Sequence, residues 1–146
     1  MIVPAVLGGT AAVAGIAAHG AFYRNSFVFG RALGRLPTQQ SVVALTFDDG
    51  PNPDATPRIL DALGDAGIRA TFFILGRHAE RWPGLVRRVH DEGHALGNHG
   101  YFHRKLQFRS PHYVRADLAR GSDAIAAACG VRPTLFRAPH GFRSPW

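Results

Sequence analysis

The chain contains a single cysteine, Cys129, among its 146 residues. An internal disulfide is therefore impossible, and no cysteine pair is available to hold a metal ion. Lysine is nearly absent, because Lys105 is the one lysine and every other basic side chain is an arginine. No concentrated basic stripe with interleaved aromatic residues occurs, so we predict no nucleic-acid partner. The net charge of +7 would suit an anionic cell-wall polymer instead.

Charged side chains are missing from residues 1–22, and this apolar run has the roughly 20 residues that a bilayer-spanning helix needs. We predict a signal anchor over residues 1–23 and a connector over residues 24–40. A cleaved signal peptide is the alternative, with a small-residue cleavage site at 12–14. The positive-inside rule would leave the main domain in the cytoplasm because of three arginines that follow the run: Arg24, Arg31 and Arg35.

The remaining chain, residues 41–146, has the composition of one globular domain in which strands and helices alternate. Strands are predicted at residues 41–47, 69–75, 94–98 and 134–137. Helices are predicted from Asp54 to Gly67, over residues 82–92 and from Ser110 to Gly130. This α/β pattern predicts a parallel sheet, either open and doubly wound or closed as a barrel. In both architectures the functional residues gather at the carboxyl ends of the strands.

Two adjacent aspartates, Asp48 and Asp49, follow the first predicted strand in the segment "ALTFDDGPNPDAT". Aspartate, glycine, proline and asparagine are also the residues that form turns, so a simple turn is one interpretation. Two neighbouring carboxylates repel each other, however, and a turn needs only one of them. A cation bound nearby would remove the repulsion, which makes these aspartates candidates for a metal site.

Two histidines, His99 and His103, follow the third predicted strand with a spacing of four. This spacing predicts that both imidazoles lie on one side of a helical turn, where they could bind one metal ion. The chain has 8 histidines, so a chance pair is also plausible. Gly100 stands where a zincin has its glutamate base, so a base must come from elsewhere. Asp49 as third ligand and Asp48 as base would complete the site.

A third segment, "FRAPHGF" at residues 136–142, follows the last predicted strand. Arg137 is either a solvated arginine or the partner of a carboxylate that it holds ionised and oriented. Pro139 and Gly141 predict a tight loop, from which the backbone N–H of His140 could point into the site.

Taken together and in this order, the three segments resemble the motifs of the polysaccharide deacetylases of carbohydrate esterase family four, the NodB homology domain. The matching stretches are "TFDDGP" at 46–51, "HGYFH" at 99–103 and "RAPHG" at 137–141, and the resemblance extends from Ser41 to the last residue. It implies a distorted (β/α) barrel. It also implies a hydrolase that removes N-acetyl groups from a GlcNAc-containing polysaccharide, either chitooligosaccharide or peptidoglycan.

The resemblance further implies a divalent metal ion, zinc or alternatively cobalt, and a role for each matching residue. Asp48 corresponds to the catalytic base and Arg137 to its partner. His140 stands where the family usually has a tyrosine that donates its backbone N–H to the oxyanion. The metal ligands implied by the resemblance are Asp49, His99 and His103.

The sequence departs from the family pattern in two respects. Gly100 stands where the family prefers serine or threonine, which removes a hydroxyl group from the ligand loop. The late motif that supplies a histidine acid is missing, so we expect these residues to form the N-terminal portion of the domain. Such an incomplete barrel would expose strand edges and apolar interior, which predicts low stability and possible inactivity of the isolated chain.

Two alternatives stay open for the activity. The same site would serve a deacylase or amidohydrolase acting on another amide or ester, and a membrane-tethered glycan-binding protein would need no turnover. Because the family usually acts on extracellular glycans, we expect a membrane-anchored or secreted protein whose main domain is extracytoplasmic. The arginines after the apolar run argue for the opposite orientation.

Overall fold

A computed structural model describes residues 3–23, 26, 28–29, 32, 34 and 37–142 of the chain. The first helix, α1, spans Val3–Phe22. Within the described part of the chain, no helix has both the length and the apolar character needed to cross a membrane. The residues behind the orientation argument, Arg24, Arg31 and Arg35, lie outside the described residues, and so does the end of the predicted domain at 143–146.

Four parallel strands form one sheet. They are β1 (Thr46–Gly50), β2 (Thr71–Ile74), β3 (Ala95–Asn98) and β4 (Leu135–Phe136). Their order in the sheet, β1-β2-β3-β4, is their order in the chain. A doubly wound sheet reverses its direction at a switch point, whereas a barrel adds successive strands in one direction. The fold is therefore part of a (β/α) barrel, which confirms the predicted class.

Among the described residues, four further α-helices accompany the sheet: α2 (Ala55–Asp65), α3 (Gly76–Arg81), α4 (Pro83–Asp91) and α5 (Pro111–Cys129). Their apolar faces meet one face of the sheet in a core that includes Leu60, Leu63, Ala79, Val86, Val89, Ala124, Ile125 and Ala128. Phe72 and Ile74 of β2 belong to this core, whereas Phe73 between them does not. Side chains alternate along a strand, so Phe73 is buried on the opposite face of the sheet.

The largest difference from the predicted elements concerns β1, which begins at Thr46 rather than at residue 41 and includes both aspartates. Its register with β2 is irregular between Phe47 and Gly50. The apolar residues ahead of it are not buried as a strand, since Val43 is 94% exposed. A prediction from apolar character alone therefore places the start of this strand too early in the chain. The six-residue helix α3 was not predicted, because it is too short to show a helical period.

Both edges of the sheet are open in the described part of the chain, where β1 and β4 each pair with a single neighbour. Leu135 and Phe136 of β4 are 38% and 46% exposed, and Leu45 next to β1 is 42% exposed. These exposed apolar residues are those expected of an incomplete barrel.

Candidate metal centre

The three segments singled out in the sequence meet at the carboxyl edge of the sheet. Asp48 and Asp49 come from β1, His99 and His103 follow β3, and Arg137 follows β4. They line one cleft of about 350 Å³ together with Ala138, His140 and Gly141. The parallel arrangement explains this convergence, because all strands of a parallel sheet end on the same side.

Asp49, His99 and His103 bring three donor atoms within 4.8 Å of one another. Nε2 of His103 lies 3.1 Å from Oδ1 of Asp49, and Nε2 of His99 lies 3.4 Å from the same oxygen. The His99 side chain is only 4% exposed, whereas that of Asp49 is 61% exposed. Two imidazoles and a carboxylate match the donors that zinc and similar ions prefer, so this group fits a divalent ion.

The orientation of His99 is fixed by the backbone of Arg137. Nδ1 of His99 lies 2.8 Å from the carbonyl oxygen of Arg137. Because a carbonyl only accepts, Nδ1 carries the hydrogen and donates it, which leaves the Nε2 lone pair directed toward Asp49. Such a contact to the far side of an imidazole is how proteins set the tautomer of a metal ligand.

The ligand loop, residues 99–103, is not helical, so the prediction of a shared helical turn is wrong. The chain instead turns through left-handed conformations at Gly100, with φ of 79°, and at His103, with φ of 59°. These turns, rather than a helical period, bring the two imidazoles together. A left-handed backbone also occurs at Asp49 and His140, with φ of 65° and 60°.

The left-handed backbone of Asp49 is held by His78, a histidine outside the ligand group. Nδ1 of His78, in α3, donates to the carbonyl oxygen of Asp49 at 2.9 Å. Left-handed conformations cost non-glycine residues about 1 kcal/mol or more and persist where neighbours hold them. Their presence at Asp49, His103 and His140 shows that the cleft concentrates backbone strain.

Asp48 faces Arg137 rather than the ligand group. Nη1 of Arg137 donates to Oδ1 of Asp48 at 2.6 Å and to Oγ1 of Thr46 at 2.9 Å. The guanidinium carbon lies 4.1 Å from the ring centroid of Phe73. The carboxylate of Asp48 is thus held in one orientation by a guanidinium that is itself held from two sides.

The pKa of His103 is lowered by its surroundings. Burial lowers the pKa of His103 below its ordinary value, Asp49 opposes this effect, and electrostatic interactions with His99, His140 and Arg77 lower the pKa further. A lowered pKa favours the neutral imidazole, which is the form that binds metal.

His140 lies in the tight turn Pro139–Gly141, where its own φ of 60° is left-handed rather than helical. Its ring centroid is 4.5 Å from that of His103, and its side chain is exposed at the cleft. The predicted tight loop is therefore present, and the structure brings this residue next to the ligand group.

Sequence inspection missed several residues that support the site. Thr46, Phe73 and His78 contact Arg137 or Asp49, and Asp117 contacts the ligand loop. No spacing rule identifies them, because their partners lie 15 to 91 positions away in the chain.

Comparison with known proteins agrees with this architecture. A family model described as polysaccharide deacetylase matches residues 35–145. The chain is 40% identical over 105 residues to a peptidoglycan-N-acetylglucosamine deacetylase of Bacillus cereus, a match that covers 72% of the chain and 38% of that protein. It is 38% identical over 117 residues to a chitooligosaccharide deacetylase of Azorhizobium caulinodans, covering 78% of the chain and 54% of that protein.

Among solved structures, a family 4 acetyl xylan esterase from Clostridium thermocellum in complex with a cobalt ion superposes with a TM-score of 0.67 at 35% identity. This match covers 70% of the chain and 50% of the esterase chain. The chain thus spans about half the length of these proteins or less. With the family model covering most of its residues, the chain belongs to the polysaccharide deacetylase family.

Proposed function

We propose that the protein is a metal-dependent hydrolase that removes N-acetyl groups from a GlcNAc-containing polysaccharide. The observation that carries this proposal is the pairing, in one cleft, of a three-donor group with a separate carboxylate, Asp48, held by Arg137. The names of the Bacillus cereus and Azorhizobium caulinodans relatives support peptidoglycan and chitooligosaccharide as the substrate classes.

In this proposal Asp49, His99 and His103 hold a divalent ion. Bound there, the ion would supply a Lewis acid for the acetyl carbonyl and lower the pKa of water. The donor set favours zinc, and cobalt is the second candidate, because the Clostridium thermocellum structure holds that ion.

Asp48 is the proposed general base. It accepts a proton from the water molecule whose oxygen forms the new bond to the acetyl carbon. When the tetrahedral intermediate collapses, the C–N bond breaks and the departing amine takes up a proton, which balances the one that Asp48 accepted, so that acetate and the free amine are released. Arg137 donates a hydrogen bond to the Asp48 carboxylate and holds it in one orientation at the cleft. The backbone N–H of His140 is the proposed donor to the oxyanion of the tetrahedral intermediate.

Acetate release tests the proposal. The full-length protein is loaded with Zn²⁺ or Co²⁺ and incubated with N-acetylated chitooligosaccharide and with peptidoglycan. We expect acetate release that Asp48→Asn abolishes and that Asp123→Asn, a surface substitution on α5, leaves unchanged. The absence of release by the metal-loaded protein, or release that survives Asp48→Asn, would reject the proposal.

An ester substrate is the second candidate, since the Clostridium thermocellum relative is an acetyl xylan esterase. Assays on acetylated xylan beside chitooligosaccharide distinguish the two, because one substrate releases acetate from oxygen and the other from nitrogen. Metal and glycan binding without acetate release from either substrate would instead indicate a non-catalytic binding protein.

We also propose that the domain works outside the cytoplasm, because peptidoglycan, the polymer in the name of the Bacillus cereus relative, lies there. A reporter fused to the carboxyl end, active only on one side of the membrane, tests this. Reporter activity on the cytoplasmic side would favour the orientation that the arginines after residue 23 predict.

A further inference from the structure

The carboxylate of Asp117, in α5, is buried beside the ligand loop. The residue is only 5% exposed. Its Oδ2 accepts the backbone N–H of Tyr101 at 2.8 Å, and its Oδ1 accepts that of Phe102 at 3.4 Å. Both amides lie between the ligands His99 and His103. The carboxylate thus binds the segment of backbone that separates two of the three metal-binding side chains.

In the part of the chain that the structure describes, no basic side chain forms an ion pair with Asp117 to compensate its burial. None of the ion pairs among the described residues includes it. A buried carboxylate is unfavourable unless hydrogen bonds satisfy it, and here the hydrogen bonds come from the loop. Asp117 and the loop therefore depend on each other.

The loop is shaped around this carboxylate. A Cβ on Gly100 would lie 2.9 Å from Oδ2 of Asp117, and the φ of Gly100 is 79°. The carboxylate therefore occupies the space that a side chain at position 100 would need. The carboxylate of Asp117 thus holds the loop, although Gly100 provides no hydroxyl group that could do so.

A second contact brings α5 against the base of the loop. Nδ2 of Asn98 donates to the carbonyl oxygen of Leu118 at 2.7 Å and to Oγ of Ser122 at 2.8 Å. A Cβ on Gly121 would lie 2.8 Å from Oδ1 of Asn98, so the helix approaches this closely only with glycine there. One face of α5 therefore holds the loop at its start and in its middle.

We propose that Asp117 is a positioning residue for the metal centre: it fixes the backbone of residues 101 and 102 so that the imidazoles of His99 and His103 face Asp49. The inference rests on the proposed metal-dependent function. It assigns Asp117 no contact with substrate and no proton transfer.

Amide hydrogen exchange of the metal-free protein tests the contact itself. In Asp117→Asn we expect the amides of Tyr101 and Phe102 to exchange about tenfold faster or more, because a neutral, weaker acceptor replaces the carboxylate. Asp123→Asn is the matched control, since Asp123 lies on the same helix but pairs with Arg132 at the surface. Unchanged exchange at both loop amides in Asp117→Asn would overturn the inference.

Metal binding tests the consequence. We expect Asp117→Asn to weaken Co²⁺ binding by about 10- to 100-fold, as removal of such supporting partners does elsewhere, and to alter the visible absorption of the bound ion. Asp123→Asn should bind Co²⁺ as the unaltered protein does. Val86→Ala, a cavity in the core on α4, controls for lost stability. An equal loss of affinity in Val86→Ala at matched thermal stability would overturn the positioning role.

A second substitution keeps the test decisive if Asp117→Asn does not fold. Asp117→Glu retains the charge but moves the oxygens by one methylene, and we expect it also to raise exchange at Tyr101 and Phe102. Wild-type exchange and Co²⁺ affinity in Asp117→Glu would count against a requirement for this geometry. If the unaltered protein binds no Co²⁺, the proposed function fails, whereas the exchange data still decide whether Asp117 holds the loop.

Discussion

The substitution Arg137→Lys separates the charge of the arginine from its geometry. Nη1 of Arg137 contacts both Asp48 and Thr46, at 2.6 and 2.9 Å, while the guanidinium lies against Phe73. A lysine keeps the positive charge but not the planar group that makes these contacts together. We therefore expect the Asp48 carboxylate to keep a cationic neighbour but to lose its fixed orientation.

The structure predicts a large effect on activity and a small one on stability. The side chains of Arg137 and Asp48 are each 38% exposed, so solvent screens their attraction, and such pairs contribute about 0.2–1 kcal/mol. General base catalysis contributes roughly 10²- to 10⁴-fold to rate and depends on geometry. We expect kcat/KM to fall about 100-fold, equivalent to about 2.7 kcal/mol, while the free energy of unfolding falls by less than about 1 kcal/mol.

Two measurements on the same preparations check this prediction. Acetate release by the metal-loaded protein gives kcat/KM, and urea denaturation gives the free energy of unfolding. Arg132→Lys is the control, because Arg132 forms an ion pair with Asp123 at 2.5 Å and neither residue lines the cleft. Activity of Arg137→Lys within twofold of the unaltered protein, or an equal loss in Arg132→Lys, would refute the reasoning.

Three further predictions concern pH, helix capping and the support of Asp49. Burial lowers the pKa of His103 in the folded chain below its ordinary value of 6.5. Below about pH 6.5 the unfolded chain therefore binds more protons than the folded chain, and the free energy of unfolding of the metal-free protein falls as pH falls. Urea denaturation at about pH 7.5 and about pH 5.5 should show a smaller pH effect in His103→Gln than in the unaltered protein, and an equal effect would contradict this. Ser110→Ala removes the hydroxyl that accepts the N–H of Tyr113 at the start of α5 and should lower the free energy of unfolding by about 1 kcal/mol, which an unchanged thermal midpoint would disprove. His78→Phe removes the donor to the Asp49 carbonyl and should weaken Zn²⁺ binding about tenfold in chelator competition. His112 is exposed, and His112→Phe should leave Zn²⁺ binding unchanged. Equal affinities in the two variants would count against a role of His78 in holding Asp49.

Several elements were predictable because their signals are local. The apolar stretch before residue 75 and the cap and stop of α5 at Ser110 and Gly130 are recognisable from a few neighbouring residues, and the structure has β2 and α5 there. Gly130 adopts a φ of 80° and ends the helix, as glycine often does. The beginning of β1 was misplaced because strand pairing, rather than apolar character, sets where a strand begins.

The loop of residues 99–103 shows why spacing misled. A separation of four fits a helical turn, but the backbone reverses at Gly100 and His103 in left-handed conformations. That path depends on Asp117, which lies 15 and 16 positions from the two amides that it binds. A spacing rule considers only residues within one segment and cannot include a contact from a distant helix.

Which donors exist, and on which side of the sheet they lie, follows from the sequence alone, since Asp49, His99 and His103 follow or end strands that run parallel. How those donors are aimed depends on contacts that form only in the folded chain. His99 is oriented by the carbonyl of Arg137, 38 positions away, and Asp49 by His78, 29 positions away. Both contacts are made to backbone carbonyl oxygens, which every residue has. The residue types in the sequence therefore do not indicate these contacts before the chain has folded.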